Sequence, residues 1–258
     1  MNFLFFTPVS RVSAVGQMAS MVVRSLLASG HRVTVVATES RKHGAGPRHA
    51  FEATVLNWYD LRDDSAVFGD ADYCVYQIGD SYEYHEGGLY WLQQRAGVIC
   101  LHDFFLGHLF DAWAVSRYEQ ACLVLKAWYG QEVADRYVQA GSALFLETAL
   151  YESPMTEWVC SMALGVICHS EGGTDRVMNA CPGPVWLVPL ACEEPNEQAT
   201  LTAGNYATEL AEVAERARRS GPSLHAIRNL AAINARWAAG AGLFLDAEAL
   251  DRLAIFSG

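Results

Sequence analysis

Four short polar clusters in this chain carry residue types that can do chemistry, and each follows an apolar run. The first is Ser10, Ser13 and Gly16, between FLFF and the helical spacing that begins at Gln17. A glycine allows close backbone approach, and a helix start presents N–H groups to an anion or a sugar. The alternative is a plain strand-to-helix loop; the spacing is not G-x-G-x-x-G, which argues against a dinucleotide site. Asp80 and His85 follow YCVYQIG and can line the same cleft from a neighbouring loop. His102 and Asp103 end GVICLHD and form the candidate catalytic pair. A carboxylate within reach of a hydroxyl can orient it or take its proton. Asp103 has a second reading, as the cap of a helix starting at Phe104. His169, Ser170, Gly172 and Gly173 end GVICHSEGG, and the paired glycines suit a phosphate-accepting turn. Here the alternative is that Ser170 or Thr174 caps the next helix. The histidines and carboxylates near Asp80 could suggest a metal, but their spacing is not specific for one.

Strands must position all four clusters, because each lies where an apolar run stops. FLFF, VTVVA, FEATVLNWY, YCVYQI, GVICL, GVIC and PVWLVPLA read as strands. Helical spacing is read over Gln17 to Ala28, from an entry near His85 to Gly88 through Arg95, and throughout Gly107 to Leu150. It returns in MTEWVCSMA and TDRVMNAC. Strands alternating with helices imply an α/β fold with a doubly wound, Rossmann-like parallel sheet. Ligands of such sheets bind at the carboxyl ends of the strands. No strand is read after Pro189. The polar stretch 193–204 reads as a linker, followed by helices over Asn205 to Arg219, Ser223 to Ala239 and Asp246 to Ile255.

Composition narrows the partners. The 258 residues are 52% hydrophobic and 18% charged, enough apolar material for a sizeable core. A net charge of −11 argues against nucleic-acid binding, which wants a basic face, and disfavours firm attachment to anionic lipid. Membrane contact is peripheral at most. The seven cysteines contain no CxxC pair and several sit in apolar runs, where they act as small buried hydrophobes. Reduced thiols and the lack of a basic-then-apolar leader point to the cytoplasm as the expected location. No run reaches the about 18 apolar residues of a membrane span. The aromatics Phe104, Phe105, Phe110, Trp113, Tyr118 and Trp128 read chiefly as core, with a cover for a partner surface or a dimer contact as alternatives.

The glycine loop, GHRVTVV, YQIGD–H, GVICLHDFFLGHLF, GVICHSEGG and PVWLVPLA occur in this order. The set resembles the N-terminal half of retaining GT-B-fold glycosyltransferases (family 4-like), bacterial enzymes of polysaccharide biosynthesis. The resemblance covers residues 1–192 and implies a GT-B acceptor domain there, a linker at 193–204, and a helical tail at 205–258 packed back on that domain. It implies transfer of a sugar from a nucleotide-sugar donor, bound as substrate with no cofactor and no metal, to a glycan or lipid-linked acceptor. His102 and Asp103 would face the acceptor. Ser10, Ser13, Gly16, Asp80, His85, His169, Ser170, Gly172 and Gly173 would bind substrate. The family's second domain, with its basic pair and E-x7-E glutamates, has no counterpart here. The chain is therefore expected to be weak or inactive alone, with a donor-domain partner chain or a homodimer as candidate partners. A non-catalytic subunit of a split glycosyltransferase and an unrelated Rossmann-like small-molecule-binding protein are the alternatives.

Overall fold

A computed structural model describes residues 1–192 and 201–220. Its elements are β1 (Asn2–Thr7), α1 (Ala14–Ala28), β2 (Arg32–Ala37), β3 (Thr54–Asn57), α2 (Ala66–Asp70), β4 (Tyr73–Ile78), α3 (Tyr82–Leu92) and β5 (Val98–Leu101). Then come α4 (Gly107–Ala114), α5 (Tyr118–Tyr129), α6 (Gln131–Glu152), α7 (Thr156–Cys160), β6 (Gly165–Cys168), α8 (Thr174–Ala180) and β7 (Val185–Leu187). The described part ends with β8 (Ala191–Cys192), β9 (Leu201–Thr202) and α9 (Ala203–Ser220).

Seven strands form one sheet in the order β3-β2-β1-β4-β5-β6-β7, and every neighbouring pair is parallel. This is the doubly wound α/β architecture read from the alternating pattern. Winding reverses between β1 and β4, so their carboxyl ends open a crevice at the point where such sheets bind ligands.

The strands are continuous apolar runs because the sheet is covered on both faces. Alternate residues of β1 go to opposite cores. Leu4 and Phe6 pack with α3–α7, whereas Phe3 and Phe5 pack with α1 and α9. On the first face Phe110, Trp113 and Trp158 form a buried aromatic group, with the two indoles 4.6 Å apart. The expected aromatic core is therefore present there, although Tyr118 stays half exposed. Buried Glu157 accepts hydrogen bonds from the Tyr129 hydroxyl and the Arg176 guanidinium, which ties α5, α7 and α8 together. On the second face α9 lies beside α1, and Tyr206, Leu210, Val213 and Ala214 bury against the sheet.

Main-chain bonds extend the ladder at the amino ends of the strands. Arg32 N donates to Met1 O (2.9 Å), Asp72 N to Asn2 O (2.9 Å), and Leu164 N to Gly97 O (2.8 Å).

Four expectations are corrected. Helix α3 begins at Tyr82 rather than near His85, and α1 begins at Ala14 rather than Gln17, so Gly16 lies inside the helix. The stretch from Gly107 to Leu150 is three helices, broken at Val115–Arg117 and at Gly130, whose φ of 94° ends α5. Strands do follow Pro189: β8 and β9 pair in parallel, and α9 starts at Ala203, so 201–204 is structured rather than linker. Two-residue strands carry no periodicity for a sequence to show. The rest of the expected linker, 193–200, and the helices expected over Ser223 to Ala239 and Asp246 to Ile255 lie outside the described residues. All seven cysteines are free thiols, and burial pushes the Cys181 thiol up to about 12. Among the described residues, no helix is long and apolar enough to cross a membrane.

Candidate functional site

The exit of β1 is built around a carboxylate from the next strand's loop. Glu39, 2% exposed, accepts hydrogen bonds from Val9 N (2.5 Å) and Ser10 N (2.6 Å). The N–H groups of Val9 and Ser10 are thus turned inward. Ser13 caps α1, its Oγ accepting from Gly16 N at 3.1 Å. A Cβ on Gly16 would stand 2.7 Å from the Pro8 carbonyl oxygen, so glycine lets α1 seat tightly on the loop. Ser10, Ser13 and Gly16 therefore shape the exit of β1, and their described bonds hold the loop.

Asp80, His85 and Asp103 come together around Gly79. A Cβ there would lie 2.9 Å from both Asp103 Oδ2 and His85 Nε2. Asp103 Oδ2 accepts from Asp80 N at 2.9 Å. The Asp80 carboxylate reaches across to α4, taking His108 N (2.8 Å), Leu109 N (3.0 Å) and His108 Nδ1 (2.5 Å). Burial raises the Asp80 pKa, and the bonds from His108 and Leu109 oppose that rise. The capping reading is thus transferred: the helix after β5 starts at Gly107, not Phe104, and Asp80 rather than Asp103 satisfies its first N–H groups. Asp103 itself is exposed at the mouth of the crevice.

Gln77, buried at the end of β4, fixes two imidazoles. Its backbone carbonyl accepts from His85 Nδ1 at 2.9 Å, and its side-chain oxygen accepts from His102 Nε2 at 2.7 Å. His102 lies against His169 with ring centroids 5.0 Å apart, and His169 against Tyr206 at 5.8 Å. His169 Nδ1 donates to Val188 O at 2.7 Å, which leaves Nε2 as a buried acceptor without a hydrogen bond. The Tyr206 hydroxyl is also buried and makes no hydrogen bond of good geometry. Burial holds all three imidazoles neutral: His85 is lowered to about 4, His102 well below its usual value, and His169 in the same direction.

At the β6 exit, Ser170 and Gly172 are exposed. Gly173, not Ser170 or Thr174, is the residue before α8, and it makes no side-chain cap. Its φ of 78° and the Phe104 ring packed against it account for the glycine without a phosphate. Two strands separate β1 from β6, so the Ser10–Gly16 and Ser170–Gly173 segments stand about 14 Å apart along the rim. The sequence clusters form two groups rather than one: Ser10–Gly16 at the β1 exit, and the clusters of the β4–β6 exits, joined through Gln77 and the His102–His169 contact.

The reading from sequence missed Glu39, Gln77 and His108. Gln77 had a signal, a lone amide within an apolar run. Among the described residues, no three His, Cys, Asp or Glu side chains are grouped to hold a metal ion. At the β4–β6 exits the imidazoles lie beneath the surface and Asp103 is the open group beside them, a carboxylate that can accept hydrogen bonds from hydroxyl groups. Comparison with protein-family models and with curated proteins returns no match for this chain.

Proposed function

We propose that this chain is the acceptor-binding unit of a sugar-transferring enzyme of the retaining GT-B type. The observation that carries this reading is the group at the β4–β6 exits: neutral His85, His102 and His169 beside exposed Asp103. Neutral, buried imidazoles form a fixed, uncharged floor that leaves the Asp103 carboxylate free to accept from a hydroxyl. Asp103 orients an acceptor hydroxyl or takes its proton as the glycosidic bond forms. A nucleotide sugar would be the donor, with its diphosphate stabilised by cationic groups outside this cluster. The acceptor is a glycan or a lipid-linked sugar met in the cytoplasm. A donor-binding partner or a second copy of the chain completes the cleft.

Binding of the purified chain to an array of neutral oligosaccharides tests this reading, with Asp103→Ala beside the wild type. At least one glycan should bind, and Asp103→Ala should weaken it about tenfold or more, the loss of a charge-assisted hydrogen bond. A chain that binds no glycan, or an Asp103→Ala variant that binds as well as the wild type, would overturn it.

A further inference from the structure

The other half of the carboxyl rim has a different character. The loop after β1 and the long loop after β2 are zipped together by an antiparallel bridge between Ser10 and Arg48. Arg11 N donates to Pro47 O (2.9 Å), His49 N to Val9 O (2.8 Å), and the His49 ring bonds to Ser13 O (3.1 Å). This joint places Arg11, Arg41, Lys42 and Arg48 on one stretch of rim, and all four are exposed. None of them forms an ion pair with a carboxylate among the described residues; the pairs found there use other cations. Of the two acids within these loops, Glu39 is buried beneath them and bonded to Val9 and Ser10, and Glu52 is paired with Arg24. Neighbouring Glu83 accepts from Ser81 Oγ (3.2 Å) and Asp60 from Asn57 Nδ2 (2.9 Å).

Two of the guanidinium groups are held in place. Arg48 donates to Gly44 O (3.0 Å) and Asn57 Oδ1 (3.1 Å), and Arg41 lies over the Tyr59 ring at 4.7 Å. A chain of net charge −11 gains nothing in solubility from gathering unpaired cations on one loop pair. Beside the crevice where winding reverses, they form a receptor for concentrated negative charge.

We infer that the joined loops after β1 and β2 bind the phosphate group of a small phosphorylated ligand, whose remainder lies across the β1–β4 crevice. Guanidinium forks match phosphate oxygens in geometry, and several cations together favour a dianion over a single carboxylate. Nucleic acid is disfavoured by the net charge of the rest of the molecule. The assignment does not rest on the sugar-transfer reading, which concerns the β4–β6 exits.

Calorimetric titration at low and at physiological salt tests it, with pyrophosphate, glucose 1-phosphate, UDP and neutral glucose as probes. The phosphates should bind, glucose should not bind at this rim, and raising the salt should weaken the phosphates. Tighter binding of UDP than of pyrophosphate would identify a nucleotide; tighter glucose 1-phosphate would identify a sugar phosphate. An Arg11→Gln/Lys42→Gln double variant should lose about tenfold or more in phosphate affinity. Arg24→Gln, which removes a surface cation paired with Glu52, should leave it unchanged. Matched far-UV circular dichroism and thermal midpoints establish that the double variant folds. The proposal fails if no phosphate binds at low salt or if the double variant binds like the wild type.

Discussion

At the scale of single residues, His85 is the most exacting test of the site. It is buried, donates to Gln77 O, and is held neutral with its pKa near 4 against an ordinary 6.5. The unfolded chain takes a proton there before the folded one does. The contribution is therefore complete above pH 6.5 and is lost as pH falls from 6.5 towards about 4. By pH 5 this amounts to roughly 2 kcal/mol for His85 alone. His102 and His169 shift in the same direction and steepen the fall. Urea unfolding between pH 8 and 5 should show this decline, and His85→Gln should flatten part of it. A profile with no slope, or one unchanged by the substitution, would mean that the imidazole is solvated. The residues that hold the site were also the least legible. Glu39 bonds to a loop 29 and 30 residues earlier, and His108 to a carboxylate 28 residues earlier. Local spacing cannot show contacts made by strand order. Asp103 and His102 were found because both end a visible apolar run.

At the scale of elements, the seat of α1 depends on Gly16. Adding one methyl there puts carbon 2.7 Å from Pro8 O, a backbone atom that cannot swing away. Gly16→Ala should cost about 1–3 kcal/mol in urea unfolding, as overpacking does. Gly46→Ala is the matched control: its methyl would meet nothing within 4 Å, and its effect should stay within about 0.5 kcal/mol. Equal effects at both positions would dismiss the close approach. Elements buried on both faces were the legible ones. VICL and GVIC could hardly be anything but central strands, and they are β5 and β6. Helix boundaries were less legible, because Tyr82 to Tyr84 are polar-faced residues whose helical state depends on packing of α3 against β4.

At the scale of the whole molecule, the fold includes its last described helix. Leu210 is fully buried in the same core as Phe5, Val35 and Ile167. Leu210→Ala should cost about 2–5 kcal/mol. Far-UV circular dichroism and tryptophan fluorescence should still report one shared transition. A separate early transition by either probe would make α9 an independent attachment. The doubly wound sheet was readable from alternation alone, whereas β8 and β9 were not, since pairing of two-residue strands is decided by the chain around them.

Both edges of the sheet are tied by main-chain bonds, Arg32 N to Met1 O at the amino ends and Thr38 N to Thr7 O and His102 N to Ile78 O at the carboxyl ends. At the carboxyl ends, Glu39, Gln77, Asp80 and Asp103 do much of the holding through their side chains. A main-chain bond survives almost any substitution, whereas a side-chain bond changes with its residue. The main-chain ties are therefore a fixed foundation and the side-chain bonds are rewritable, so a handful of exchanges at the carboxyl ends could give this scaffold a new ligand while the sheet itself went unaltered.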